Sequence, residues 1–206
     1  LGEPVAGTSA NRSGQISPTS ADHVRAAFGS DLDLIIDGGP CSVGVESTLL
    51  DLTVTPPAIL RVGAITVEAI ESVIGLISVL SDSDRRTVRP DIKLMLISPD
   101  QWPHVLAQWH LSKERFGTLS LRPMTATESP FFCRKMANLS DYARALFAVV
   151  HEAEAAEISV LLAEAVPKEG LGRAIMDRLE RIAEKEAPTS SLSGGIERPP
   201  REPTGI

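Results

Sequence analysis

Short hydroxyl side chains and one amide crowd the run Thr8-Ser9-Ala10-Asn11-Arg12-Ser13-Gly14, and hydroxyls return at Ser17-Pro18-Thr19 at the mouth of a helix-like stretch. With backbone N–H groups at a helix N-terminus, such residues can orient phosphate oxygens; the same residues also build ordinary turns and caps. A second run, Gly38-Gly39-Pro40-Cys41-Ser42-Val43-Gly44-Val45-Glu46-Ser47-Thr48, puts small residues where a backbone could approach a ligand closely, or simply forms a glycine-rich hairpin loop. Arg61 stands between Leu60 and Val62 in an apolar stretch and is the only arginine between Arg25 and Arg85. A cation on a buried strand needs an anionic partner, either Glu46 or Asp51 in a structural pair or a bound phosphate.

The elements that must position these residues are mixed α and β. Thr19 or Ser20 caps a helix that ends at Gly29, and Thr66 opens another whose Val67, Ile70 and Ile74 share a face before Gly75. Between them Leu34-Ile35-Ile36, the β-branched stretch Val45 to Leu52, and Ala58 to Val62 read as strands. The charged stretch Ser81-Asp82-Ser83-Asp84-Arg85-Arg86 has no apolar period and reads as a linker. Strands and helices then alternate: Leu94 to Ile97, Pro99 to Leu111, Thr118 to Leu121, Leu139 to Ala153, Val160 to Ala163, and a last helix with Leu171, Ile175, Leu179 and Ile182 on one face. That alternation implies a mostly parallel, doubly wound sheet. The expected organisation is a mixed α/β segment over 1–75, a linker over 76–91, a small Rossmann-like α/β domain over 92–185, and a disordered tail over 186–206.

Of the 206 residues, 43% are hydrophobic and 23% charged, enough for one ordinary core or two small ones. No apolar run approaches the roughly 18 residues that cross a bilayer, so no membrane partner is expected and the cytoplasm is the expected compartment. Residues 1–75 carry nine acids against three arginines and no lysine, which disfavours direct nucleic-acid binding there and means a bound triphosphate needs cations from elsewhere. Cys41 and Cys133 have no neighbouring histidines and read as reduced thiols rather than a disulfide or zinc site.

The motifs taken in order carry a resemblance. Pro4 to Asn11, Ser13-Gly14, Ser17-Pro18-Thr19, Asp37-Gly38-Gly39-Pro40, Gly44-Val45-Glu46-Ser47-Thr48 and Ile59 to Thr66 resemble the second half of a YrdC-type domain. Leu139 to Phe147 and Gly170 to Leu179 are similar to the smaller C-terminal domain of the two-domain threonylcarbamoyl-adenylate synthases, so the resemblance covers most of residues 3 to 185. It implies an enzyme that joins L-threonine, bicarbonate and ATP into threonylcarbamoyl-AMP with release of pyrophosphate, for modification of adenosine 37 in certain tRNAs. It further implies that Ser9, Asn11, Ser17 and Arg61 contact ATP, and that Ser47, with Thr8 beside it, binds L-threonine. Mg2+ is expected with the triphosphate and no organic cofactor is. Downstream tRNA threonylcarbamoyl-transfer proteins are the implied protein partners.

Three departures qualify the resemblance. The family's Lys-x-Arg motif and an earlier threonine-binding strand would lie upstream of Leu1, so the chain reads as an N-terminally truncated fragment and is expected to lack synthase activity by itself. The family's linker His-Tyr-Ala-Pro segment has no counterpart, since the only tyrosine is Tyr142 on a C-terminal helix. Val62 stands where a proline is common. The alternatives are a nucleotide- or RNA-binding module without chemistry, and a remnant in which only the C-terminal domain folds as a regulatory module. Elsewhere the plain readings hold: His104 and His110 face different ways and make a poor metal pair, Trp102 and Trp109 belong to core or interface, and Gly170-Leu171-Gly172 marks a turn or close packing.

Overall fold

The computed structural model describes residues 2–5, 7–80, 90–112, 114–123 and 131–183. In the first segment the caps act where the sequence puts them. The Ser20 side chain accepts the His23 N–H at the head of α1 (Ala21–Phe28), and Gly29 ends that helix at φ 55°. Thr66 accepts the Ala69 N–H at the head of α2 (Val67–Ile74), which Gly75 ends at φ 81°. Between the helices β1 (Leu49–Asp51) pairs antiparallel with β2 (Ala58–Arg61), and β3 (Ser78–Val79) adds to β2 in parallel. Ile59, Val67 and Ile77 are the buried centre of this unit.

Two readings change here. Leu34-Ile35-Ile36 is not a strand, and Leu34 and Ile36 are 75% and 87% exposed. An apolar run becomes a strand only where a neighbour takes its backbone hydrogen bonds, and among the described residues none pairs with it. The strand read over Val45 to Leu52 shrinks to Leu49–Asp51, because Gly44 to Thr48 is committed to loop contacts. Most of the expected linker (residues 81–89) and the whole expected tail lie outside the described residues.

The second unit is doubly wound. Strands β4 (Lys93–Ile97), β5 (Phe116–Ser120), β6 (Phe132–Lys135) and β7 (Val160–Glu164) form one parallel sheet in the order β4-β7-β5-β6. On one face Val160, Leu162, Ile97 and Phe116 pack with Trp102 and Leu106 of α3 (Trp102–Leu111). On the other, Leu161, Ala163, Leu94 and Leu119 pack with α4 (Leu139–Ala155) and α5 (Leu171–Ala183). This alternation along β7, buried at all five positions, is the period-two pattern of a strand covered on both sides. The buried Tyr142 fastens α4 to the sheet by donating to the Glu164 carbonyl at 2.9 Å, and burial, then the Glu164 carboxylate, push its phenol well above the ordinary range. Gly172 packs so close to the Pro167 carbonyl that no side chain fits, which is the close approach its sequence context suggests. The short edge strand β6 is absent from the sequence reading because Arg134 and Lys135 are exposed and leave no apolar period.

Candidate functional site

A cavity of about 460 Å³ opens where the two units meet. Thr8 and Ser9, Ser17 to Thr19, and Cys41 to Glu46 line it from the first unit, and Phe147 of α4 lines it from the second. The loops are braced from within. The Asn11 amide donates to the Gln15 carbonyl at 2.9 Å, and its oxygen accepts the Ser9 hydroxyl. Asn11 therefore ties the turn together and faces a neighbouring 200 Å³ cavity, shared with His23, His151, Asp91 and Glu154, rather than the larger one. Arg12 is paired with Asp31 and donates to the Ala27 carbonyl at 2.9 Å.

Glu46 sits at the centre of the boundary. Its Oε2 accepts Arg178 Nε of α5 at 2.6 Å, and its Oε1 accepts the Ser17 hydroxyl at 3.2 Å. Burial pushes this carboxyl up, but the Arg178 charge and hydrogen bond, together with Ser17, outweigh it and hold the group below its ordinary value. The next residue, Ser47, is exposed; its carbonyl accepts Arg61 Nε at 3.1 Å and its Oγ accepts Arg61 Nη2 at 3.2 Å. Gly63 packs against the backbone of Glu46 to Thr48, where a Cβ would collide.

The anionic partners considered for Arg61 are thereby excluded as its structural pair. Glu46 is taken by Arg178, and Asp51 turns back on Thr53. Among the described residues Arg61 has no carboxylate within ion-pair reach, whereas the other arginines of residues 1–75 are paired, Arg12 with Asp31 and Arg25 with Asp22. Of the predicted site residues, Thr8, Ser9 and Ser17 meet on the cavity, Ser47 and Arg61 form a separate hydrogen-bonded pair, and Asn11 supports the first group from behind.

The contribution of the second unit goes beyond what residue types announce. Phe147 lines the cavity, His151 Nε2 reaches the Ser17 carbonyl at 3.3 Å, and the His151 ring lies 4.0 Å from that of His23. Burial first, and His151 second, hold the His23 imidazole below its ordinary pKa, against the pull of Asp22, Glu152 and Glu154. Gly44, at φ 81°, lies directly on the α4 backbone at Ala143 and Arg144. The available signal was the four-residue recurrence of Ala143, Phe147 and His151 along one face of α4. Among the described residues no group of three His, Cys, Asp or Glu side chains could hold a metal ion, and no helix is long and apolar enough to cross a membrane.

Fold and cavity together define a two-unit α/β protein whose candidate site lies on the boundary between its units. A family model described as telomere recombination, that of the Sua5/YciO/YrdC proteins, matches residues 1–63, and one described as the threonylcarbamoyl-AMP synthase C-terminal domain matches residues 65–183. The threonylcarbamoyl-AMP synthase of Bacillus subtilis (strain 168) is 34% identical over 88% of the chain and 58% of its own length. That of Pyrococcus abyssi is 34% identical over 87% and 58%. The crystal structure of P. abyssi Sua5 complexed with L-threonine superposes with a TM-score of 0.72, at 31% identity, over 86% of the chain and 57% of that structure. The chain belongs to the threonylcarbamoyl-AMP synthase family, and it spans a little under three-fifths of the length of these relatives.

Proposed function

We propose that the protein containing this chain is an L-threonylcarbamoyladenylate synthase of the tRNA-modification pathway, and that this chain supplies the hydroxyl-lined part of its ATP site and the Ser47 part of its L-threonine site. The observation that carries the reading is the cavity lined by Thr8, Ser9 and Ser17 with the Arg61–Ser47 pair next in line through Glu46. Short hydroxyls and backbone N–H groups suit phosphate oxygens, and Arg61 is the arginine of this unit that no described carboxylate neutralises. The P. abyssi relative that superposes on the chain holds L-threonine.

The chemistry asks for positioning rather than a covalent nucleophile. The threonine amine and bicarbonate combine with loss of water into a carbamate. A carbamate oxygen then bonds to the α-phosphorus as the bond to the departing pyrophosphate breaks. In this reading Ser9 and Ser17 orient the nucleotide, Asn11 keeps Ser9 in place, Arg61 meets developing phosphate charge, and Ser47 and Thr8 hold threonine. Magnesium is expected with the triphosphate, but the residues present do not fit a protein cage for it, since both oxygens of the one carboxylate on the cavity, Glu46, are engaged. The product would pass in the cytoplasm to proteins that transfer the threonylcarbamoyl group to tRNA, and the acidity of residues 1–75 leaves RNA contact to those partners.

The test is pyrophosphate release that needs both L-threonine and bicarbonate. The intact protein is expected to show it and to lose about 100-fold on Arg61→Ala. These 206 residues alone are expected not to, because their first unit brings one uncommitted cation to a triphosphate. Intact protein that releases pyrophosphate without threonine, or not at all, contradicts the proposal.

A further inference from the structure

We infer that Arg178 is a positioning residue for both proposed subsites, acting from the C-terminal unit through the Glu46 carboxylate. The identity of the two ligands rests on the synthase reading; the coupling rests on geometry. Among the described residues Glu46 links both groups of site residues. Its side chain receives the Ser17 hydroxyl, its carbonyl receives the Ala64 N–H at 3.2 Å, and its neighbour in the chain is Ser47, which holds Arg61. Among the described residues nothing in the first unit neutralises it: the counter-charge comes from Arg178, 132 positions away.

Arg178 is built to hold still. It is 3% exposed, and Asp177, itself 5% exposed, engages its Nη1 while also receiving Arg181 from one turn on. Burial works to protonate Glu46, and the guanidinium keeps it ionised and aimed. Without that cation the half-buried carboxylate would take up a proton or swing toward solvent, and both Ser17 and the Ser47 backbone would move with it. A contact that only glued the units together could sit anywhere on the boundary. Arg173 with Glu68 is such a contact, exposed and touching no site residue.

Hydrogen exchange read by mass spectrometry on the 206-residue chain, with affinities for Mg·ATP and L-threonine measured beside it, separates the possibilities. Arg178→Met is expected to speed exchange of the segments 12–19 and 44–48 about 100-fold, with β7 unchanged. Arg178→Lys should recover all but about tenfold of that, and Arg173→Met should leave both segments as they are. Where the parent chain binds the ligands, Arg178→Met is expected to weaken both. Unchanged exchange in both segments, or an equal rise in β7 and α4, overturns the inference. If Arg178→Met does not fold, Glu46→Gln replaces it, with about a tenfold local rise expected and no rise contradicting the idea. The synthase reading stands or falls on threonine- and bicarbonate-dependent pyrophosphate release by the intact protein, whereas the exchange result by itself decides the coupling.

Discussion

Apart from Leu111 and Phe131, every large apolar side chain left exposed among the described residues lies at or before Leu80. The second unit is the reverse: β7 is buried at all five positions, and Leu146, Val150, Ile175 and Leu179 show no exposure. The first unit's strands are two to four residues long, and its own buried centre is Ile59, Val67 and Ile77. Two more of its apolar residues, Ile16 and Val45, are buried in the core of the second unit instead. They flank the site loops, one just before Ser17 and the other just before Glu46. The unit that carries the candidate ligand residues thus relies on its neighbour for the burial that holds those residues in place.

The sharpest way to break this comparison is to remove equal volume from each core. Leu161→Ala is expected to cost about 4 kcal/mol, because the parallel sheet is covered on both faces and cannot collapse into the gap, and Ile59→Ala about 2 kcal/mol, because its small cluster can relax. Urea unfolding followed by circular dichroism checks this; equal costs would mean that the two cores are equally well packed. Next, Gly44→Ala should cost about 2 to 3 kcal/mol, since the site has φ 81° and no room beside α4. The lowered melting temperature should come with faster exchange around 41–48. Thr66→Ala removes the α2 cap at about 1 kcal/mol, with the loss confined to the first unit.

The smallest effect is that of pH at the boundary. The folded-state pKa of His23 is depressed, so the unfolded chain binds more protons there and stability rises with pH. That contribution is present above the ordinary imidazole value of 6.5 and is lost as pH falls through the lower folded value. Between pH 7 and 5 the stability is expected to decline modestly, and His23→Gln should flatten the decline; an unaltered slope would place the sensitivity elsewhere.

How much of this was legible in the sequence follows from the range of each interaction. The Thr66 cap, a first cap narrowed to Thr19 or Ser20, the terminators at Gly29 and Gly75, and the apolar face of α5 depend on neighbours within a few positions and can be read directly, whereas on α2 Val67 and Ile70 pack inward and Ile74 stays exposed. Leu34-Ile35-Ile36 could not be read correctly because a strand is made by its partner. The hydroxyl cluster was visible as residue types, and the structure adds that Thr8, Ser9 and Ser17 share a cavity while Asn11 stands behind it. Residue types allow Arg61 either a structural pair or a phosphate, and the spatial facts that Arg178 takes Glu46 and Asp51 turns back on Thr53 remove the first of these. A pairing over 132 positions leaves no trace in local pattern.

The central claim is that the cavity walled by both units is the nucleotide site, and protection from hydrogen exchange by Mg·ATP tests it most directly. The account predicts slowed exchange in residues 8–19 and 41–47 and, together with them, on the α4 face around Phe147, with Arg61→Ala abolishing the protection in all three. Protection confined to the first unit, or found only at sites away from the cavity, would contradict it.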